Sequence, residues 1–334
     1  MESAKCEIFS RSLNRCSSSR VSRWETDSPE YAPFSKFGDE RPNGIVLLTS
    51  LLMIRDSHIR NNTALAEFAA EVHRPEGAID LGRTMLVLGK FVYPRLDVAA
   101  YVRRLDDLAE SARAAIESEG QAAALAKYLF SARGANFQGN VQDYSDPRNS
   151  YLNELLDRRL GLPITLAVLY VEVARRLGIR AAGVGLPGHF IVQAWEPNGT
   201  VVRLDPFHEG GVLTEADCFE LAAATARASH FEPQWLQPVG ALYILRRVLN
   251  NLRNRGPAVL GVHGMIGVLE RQLVLDPEQN GTAAMLGLLC ATAGQRQRAA
   301  DLLSQALQGD LDDDVRERAE AVLQAKLKEI AARN

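Results

Sequence analysis

Cysteine is scarce in this chain of 334 residues, and the four that occur are Cys6, Cys16, Cys218 and Cys290. They are too scattered for the dense disulfide framework of a small secreted domain, and no two have the spacing of metal ligands. The sequence therefore predicts no metal site built on cysteine. Such cysteine usage is typical of a protein from a reducing compartment, and we expect a cytoplasmic location.

An excess of basic residues is also missing. The chain has 38 Lys and Arg against 41 Asp and Glu, which gives a formal net charge of −3 and a pI near 6.1. Without a positive field, a protein has little electrostatic attraction for a phosphate backbone. We therefore expect no nucleic acid among its partners.

Long hydrophobic runs are absent as well. The longest, Ile45–Ile54, is interrupted by Thr49 and Ser50 and has about half the length that a membrane-spanning helix requires. It also begins too far into the chain to be the core of a signal peptide. These features predict no association with a membrane.

Residues 1–44 are rich in Ser and Arg and show no apolar periodicity, so we predict a disordered tail. A transit peptide is the alternative interpretation, although Glu2 and Glu7 interrupt the acid-poor pattern of such peptides. The rest of the chain has an ordinary globular composition, with 46% hydrophobic and 24% charged residues.

Helices are predicted on both sides of a central region. Apolar residues recur at helical spacing from Thr63 to Phe130, which predicts a helical subdomain over residues 45–130. The chain is predicted to be helical again over residues 239–334. Six residues there fit the tetratricopeptide helix-turn-helix frame: Leu286, Gly287, Gly294, Ala299, Leu303 and Ala306. The last stretch, at 312–332, has the pattern of an amphipathic capping helix.

The central region, residues 131–238, predicts a buried helix packed on antiparallel strands. The segment Pro163–Leu177 is apolar on nearly all sides, Pro163 suits a first helical turn, and Gly178 suits a C-terminal cap. Residues 189–195 and 200–205 flank Pro197-Asn198-Gly199, the strongest short signal for a β-hairpin. Asn149 or Ser150 is predicted to cap a helix that reaches Arg159. The fold class predicted is therefore α+β.

Four short motifs carry a resemblance to a known superfamily: Gly161-Leu-Pro163-x-x-x-Ala167, Leu177-Gly178-Ile179, Gly188-His189-Phe190 and Leu204-Asp205-Pro206. This pattern resembles the transglutaminase-like superfamily, which has a papain-type core of a helix on an antiparallel sheet. Members place cysteine third in Gly-x-Cys-x-x-x-Ala, and the resemblance implies a Cys-His-Asp triad. His189 matches the base, Asp205 matches the orienting carboxylate, and Pro163 falls on the nucleophile position.

A wider resemblance runs from about residue 62 to the C-terminus. The stretch from Gly139 to Asn153, with Asp143-Tyr144-Ser145-Asp146-Pro147-Arg148-Asn149-Ser150 at its centre, is its most specific part. The chain is similar here to the SirB-type bacterial proteins, in which a transglutaminase-like core precedes a tetratricopeptide tail. The resemblance implies that proline is this family's own pattern, and it supplies no activity.

Several residues near the missing nucleophile have alternative interpretations. Thr165 is two positions further along the helix, which rotates its side chain by roughly 200° away from the vacant position. Cys218 is expected to be a packing residue on a separate helix. Arg148, Asn149 and Asn153 either line a binding cleft or cap and brace the central helix.

Two function classes follow from the sequence. The first is a non-catalytic module that binds a peptide or protein partner or regulates one, with His189 and Asp205 as a relict pair. The second is a cysteine-independent hydrolase or transferase that uses the same pair. No cofactor and no metal is predicted, because the spacing of His189, Asp205 and His208 matches no metal-binding motif.

Overall fold

The structure is a computed structural model that describes residues 63–116, 120–226 and 228–332. The predicted disordered tail and the apolar run Ile45–Ile54 lie outside the described residues.

Four helices open the described chain, as predicted between Thr63 and Phe130. They are α1 (Thr63–Val72), α2 (Leu81–Gly89), α3 (Val98–Arg113) and α4 (Gln121–Phe130). The side chains of Asp80 and Asp97 accept hydrogen bonds from Arg83 N and Ala100 N in the first turns of α2 and α3. Such caps satisfy backbone amides that have no partner within the helix.

The segment before the central helix differs from the prediction. Residues Pro147–Ser150 form a separate 3₁₀ turn, and α5 (Leu152–Arg158) begins after it with Tyr151 as its N-cap. The predicted cap at Asn149 or Ser150 is therefore wrong. The reason is that the side chain of Asp146 accepts a hydrogen bond from Arg148 N and starts the 3₁₀ turn instead. Two short parallel strands, β1 (Gln138–Gly139) and β2 (Leu160–Gly161), flank this segment.

The central helix α6 spans Pro163–Leu177, with the bounds that the sequence predicts. Pro163 lies at its first position, where a missing N–H leaves no broken bond. Gly178 ends the helix with φ of 76°, and its amide donates to the carbonyls of Ala174 and Arg175. Glu172 is buried in this helix and pairs with Arg176 at 2.6 Å.

Five antiparallel strands form the main sheet. They are β3 (Arg180–Val184), β4 (Ile191–Trp195), β5 (Val201–Asp205), β6 (Gly211–Leu213) and β7 (Pro238–Val239), in the order β6-β5-β4-β3-β7. The predicted hairpin is present, since Trp195 pairs with Val201 and Val192 with Leu204. Helix α7 (Glu215–Ala226) follows β6, and Thr214 and Asp217 form its capping pair, as predicted.

The C-terminal part is helical throughout: α8 (Ala241–Arg253), α9 (Gly256–Leu275), α10 (Asn280–Thr292), α11 (Arg296–Ala306) and α12 (Asp313–Ala331). Helix α9 is long and apolar enough to cross a membrane, but Gly261 interrupts it and 56% of its apolar window is buried within the protein. Packing inside the protein therefore accounts for its apolar composition. Helices α10 and α11 approach closely at Gly287, where a Cβ would lie 2.8 Å from Leu303 Cγ.

One hydrophobic cluster links most of these elements. It extends from Phe68 in α1 through α6 and the inner face of the sheet to Val268 in α9. A smaller cluster on the outer face joins Ile191 to Cys218 and Leu221 of α7. The described chain therefore has an α+β architecture in which α6 is the central element.

Candidate functional site

The loop before β4 is fixed from two sides. Gly188 has φ of +67°, and a Cβ there would lie 2.6 Å from Thr225 Oγ1, so this position requires glycine. On the other side, the guanidinium of Arg247 donates to the carbonyl oxygens of Leu186 and His189 at 2.9 and 2.8 Å. His189 thus lies two residues ahead of β4, rather than on the strand that the sequence predicts.

The structure brings His189 and Asp205 together. His189 Nε2 lies 3.0 Å from Asp205 Oδ2, and the two residues are 5% and 1% exposed. Asp205 also accepts hydrogen bonds from Phe207 N at 3.0 Å and, on the same Oδ2, from His208 Nδ1 at 2.7 Å. One buried carboxylate therefore holds two imidazoles and a backbone amide.

Electrostatics favours an ionised carboxylate in this group. Burial alone would raise the pKa of Asp205. The charges and hydrogen bonds of His189 and His208 have a larger effect in the opposite direction, and they hold this pKa well below its usual range. For His208, burial lowers the pKa and the bond to Asp205 raises it, and the net shift is upward. The cluster therefore behaves as a carboxylate paired with a readily protonated imidazole.

Replacing His208 should change how stability depends on pH. Because the folded-state pKa of His208 is raised, its protonation stabilises the fold below its unfolded pKa of about 6.5, and this stabilisation is lost as pH rises through the folded pKa. His208→Gln should therefore cost more free energy of unfolding at pH 5.5 than at pH 8.5, measured by urea denaturation. The control is His230→Gln, which removes an exposed histidine that also contacts a carboxylate. An equal cost of His208→Gln at both pH values would contradict the assignment.

A small cavity lies between His189 and Pro163, the residue that the resemblance aligns with the cysteine of the superfamily. Its volume is about 50 Å³, and Pro163 lies in its wall at the first turn of α6. The lining residues are Tyr144, Pro163, Ile164, Gly188, His189, Phe190, Arg247 and Asn251. Proline carries no group that can attack a carbonyl carbon, so the wall facing this cavity at Pro163 offers no nucleophile.

Neither alternative nucleophile lines this cavity. The hydroxyl of Thr165 is buried and donates to the carbonyl of Asn149 at 2.8 Å. Cys218 is fully buried on the outer side of the sheet, and burial raises the pKa of its thiol to about 11. A thiol with such a pKa is almost entirely protonated at neutral pH and is a poor nucleophile.

The three residues predicted to line a binding cleft lie elsewhere. Asn149 is buried, accepts a hydrogen bond from Asn140 Nδ2 and donates to Asp143 O. Asn153 is also buried, and Arg148 is exposed and paired with Asp146. None of the three belongs to the lining of the cavity beside His189, and a binding role for them stays a prediction.

Sequence reasoning missed the residues that close the cavity from the far side. Arg247 and Asn251 belong to α8, and Arg247 is 58 residues from His189 along the chain. No local motif marks them, because their role depends on how α8 packs against the loop before β4.

His189, Asp205 and His208 could also hold a metal ion, since one ligand atom of each lies within 4.8 Å of the others. Two imidazoles and a carboxylate are a donor set that Zn²⁺ or Fe²⁺ accepts. Both imidazole nitrogens, however, lie at hydrogen-bond distance from the same oxygen of Asp205. Hydrogen bonding is therefore sufficient to account for the positions of all three side chains.

Comparison with known proteins places these residues in a family. Residues 99–250 match the transglutaminase-like superfamily. A UPF0162 protein of Xylella fastidiosa strain Temecula1 is 35% identical over 238 residues, which cover 69% of this chain and 84% of the relative. The chain belongs to the UPF0162 family.

Two further relatives show how far the similarity extends. The UPF0162 family member from Pseudomonas aeruginosa is 32% identical over 164 residues, which cover 48% of this chain and 58% of the relative. F-box only protein 21 of Homo sapiens is 30% identical over 127 residues, or 36% of this chain and 19% of that protein. No solved structure matches the chain. The bacterial UPF0162 relatives and the superfamily match together confirm a transglutaminase-like core.

Proposed function

We propose that this UPF0162 family member is a non-catalytic transglutaminase-like module that binds a peptide or protein partner. The observation that carries the proposal is the position of Pro163, which shares a cavity with His189 at the start of α6. Covalent acyl transfer requires an activated nucleophile beside the base, and proline offers none. On this proposal His189 and Asp205 are a relict pair that organises the cavity.

The chemistry of the cavity suggests what part of a partner it accepts. At about 50 Å³ it has room for little more than one small group. The guanidinium of Arg247, the imidazole of His189 and the side chain of Asn251 make its lining polar. We propose that the partner places one small polar or acidic group here and contacts the surrounding surface with the rest of its chain.

The C-terminal helices are the second part of the proposal. We propose that α10 and α11 form a tetratricopeptide-like pair, as the SirB-type resemblance implies, and that the stacked helices extend the partner surface. Supporting this, Ala299 and Ala306 are fully buried, and Gly294 has φ of 76° at the turn between the helices. Helical repeats of this kind bind extended partners on their concave surfaces. We propose a cytoplasmic location, with neither nucleic acid nor membrane as partner.

A cysteine-independent hydrolase or transferase is the second candidate. One observation favours it: His189 uses Nε2 for its bond to Asp205, which leaves Nδ1 as the second ring nitrogen of an oriented imidazole. An imidazole oriented in this way can act as a general base toward water. We prefer the non-catalytic module because no cysteine, serine or threonine lines the cavity beside His189.

The test has a catalytic arm and a binding arm. In the first, the purified full chain should neither incorporate amines into casein nor hydrolyse fluorogenic peptides, and iodoacetamide should change nothing. Turnover sensitive to iodoacetamide would overturn the proposal. Turnover that survives iodoacetamide and is lost in His189→Gln would favour the second candidate.

In the binding arm, peptides selected from a displayed random library on the wild-type chain are titrated against variants by fluorescence anisotropy. Asn251→Phe fills the cavity and should weaken binding by about tenfold, or about 1.4 kcal/mol. Asn254→Phe is the matched control, because Asn254 is an exposed residue at the end of the same helix. Equal affinities for both variants would contradict a binding role for the cavity.

A further inference from the structure

A second cavity lies on the outer face of the sheet. Gln193 and Arg203 are directly opposite each other in the β4–β5 ladder, next to the pair Val192 and Leu204. Val192 and Leu204 belong to the main core beneath the sheet. Because successive side chains alternate between faces, Gln193 and Arg203 point to the side away from α6. There they line a cavity of about 300 Å³.

One buried polar atom in this cavity is without a partner. Arg203 Nε is buried and has no hydrogen-bond partner within the described part of the chain. Gln193, which is 7% exposed, lines the cavity directly opposite Arg203 in the ladder. Buried polar groups in native proteins are nearly always hydrogen-bonded, so the unpaired guanidinium nitrogen requires an explanation.

The charge of Arg203 is only partly balanced by its neighbour. Arg203 Nη2 lies 3.5 Å from Glu215 Oε1, beyond the length of a strong charge-assisted bond, and the Glu215 side chain is 66% exposed. Glu215 is therefore largely solvated and holds Arg203 loosely. The guanidinium remains available to a second carboxylate that enters the cavity.

Most of the remaining lining is apolar. It consists of Val201, Phe231, Pro233, Leu236 and Pro238, and its two other polar members are Glu215 and Gln237. The ring of Phe231 packs edge-on against Trp235 and Phe219, with centroids 5.9 and 6.4 Å apart, which fixes its orientation. The cavity therefore combines hydrogen-bond donors, from Gln193 and Arg203, with an aromatic surface, from Phe231. Small-molecule sites commonly combine an apolar lining with a few polar groups in this way.

We propose that this cavity binds a small organic carboxylate with an aromatic or aliphatic body. The carboxylate accepts hydrogen bonds from the Arg203 guanidinium and the Gln193 amide, and the body packs on Phe231 and Leu236. The volume of about 300 Å³ is at the lower end of the range for ligand sites and suits a molecule the size of an amino acid. No residue of this lining belongs to the cavity beside His189, so the site goes beyond the proposed function.

Two sources supply such a group: a free small acid and the C-terminal residue of a peptide. The probes are phenylacetate, its neutral analogue phenylacetamide, the peptide Ala-Ala-Ala-Phe with a free carboxylate, and the same peptide amidated. Binding to the full chain is measured by saturation-transfer NMR and calorimetry. Phenylacetate should bind at least about tenfold more tightly than phenylacetamide, because a carboxylate forms charge-assisted bonds to Arg203. Tighter binding of the free-acid peptide than of phenylacetate identifies the peptide terminus as the source, and the reverse order identifies a free acid.

Variants separate this site from the rest of the protein. Arg203→Gln and Gln193→Leu should each weaken binding of phenylacetate, the former at least about tenfold. Glu215→Gln should strengthen it, since a competing carboxylate is removed. The control is Arg180→Gln on β3 of the same sheet, whose guanidinium lies over Trp195 at 4.2 Å and outside this cavity.

Three outcomes would overturn the proposal. The first is that neither phenylacetate nor the free-acid peptide shows saturable binding. The second is equal affinity for phenylacetate and phenylacetamide. The third is an affinity for phenylacetate that is unchanged in both Arg203→Gln and Gln193→Leu. Asn251→Phe should leave phenylacetate binding intact. Failure of the His189 cavity to bind a partner is thus distinguishable from failure of this site.

Discussion

Pro163→Cys is expected to give this chain a thiol that reacts with iodoacetamide faster than any buried cysteine it already has. The substitution places sulfur at the first turn of α6, in the cavity that His189 lines. A helix N-terminus and a neighbouring imidazolium both stabilise a thiolate. The measurement is the alkylation rate from pH 5 to 9, in a background carrying Cys6→Ser and Cys16→Ser so that only two other thiols remain.

The expected size of the effect follows from the ionisation of each thiol. A thiol in such an environment has a pKa of about 6 and is mostly ionised at pH 7. Cys218, with its pKa raised to about 11, is ionised to about one part in 10⁴. A thiolate of low pKa is intrinsically less nucleophilic, which removes about 2.5 orders of magnitude of this advantage. The new thiol should still react about 30-fold faster, before the burial of Cys218 slows that residue further.

Two further variants separate the contributions to this reactivity. Thr165→Cys also puts a thiol in the first turn of α6, but at a buried position outside the cavity lining, so its thiol should stay slow. Adding His189→Gln to Pro163→Cys should shift the pH profile of the reaction upward, because the imidazolium is lost. A folded Pro163→Cys variant whose new thiol is unreactive would mean that the cavity is closed to reagents and that His189 is a packing residue.

The parts of the fold that could be predicted from sequence are those determined by local chemistry. Proline at the first turn and glycine at the C-terminal cap delimit α6, and Asn198-Gly199 determines the register of the β4–β5 hairpin. The N-cap of α5 is not determined locally: Asn149 and Ser150 fit a helix cap by residue type, but Asp146 starts a 3₁₀ turn that includes them, and Tyr151 is the N-cap. Competition between neighbouring polar side chains is decided by packing.

The candidate site also has one part that the sequence predicts and one part that depends on packing. The proximity of His189 to Asp205 follows from the hairpin, since Asp205 ends β5 and His189 lies two residues before β4, the strand paired with it. The bond from His208 could not be predicted, because it depends on the turn after β5, where Glu209 and Gly210 have φ of 58° and 72°. That turn brings His208 back onto Asp205, and Gly210 N donates to Asp205 O at 2.8 Å. Positive φ at a glutamate has no sequence signal strong enough to reveal it.

Asp205→Ala should produce the largest loss of stability among the variants considered. The carboxylate is 1% exposed and accepts hydrogen bonds from His189, His208 and the amide of Phe207. Its removal leaves two imidazoles and an N–H without this acceptor, in a position that water reaches poorly. Breaking a buried charge pair by removing one partner costs about 3–5 kcal/mol. The measurement is the free energy of unfolding at pH 6.5 from urea denaturation.

The matched control for Asp205→Ala is Asp217→Ala, a second aspartate that accepts hydrogen bonds at the edge of the same sheet. Asp217 caps α7 by accepting bonds from Thr214 N and Oγ1, and all these contacts are exposed to solvent. Because water can replace an exposed cap, Asp217→Ala should cost only about 1 kcal/mol. Asp205→Asn should fall between the two, since an amide oxygen keeps one acceptor but loses the charge that holds both histidines. If Asp205→Ala costs no more than Asp217→Ala, the two histidines find other partners in the folded state. The carboxylate would then not be the centre of the cluster, and the resemblance of His189 and Asp205 to a catalytic pair would lose its structural basis.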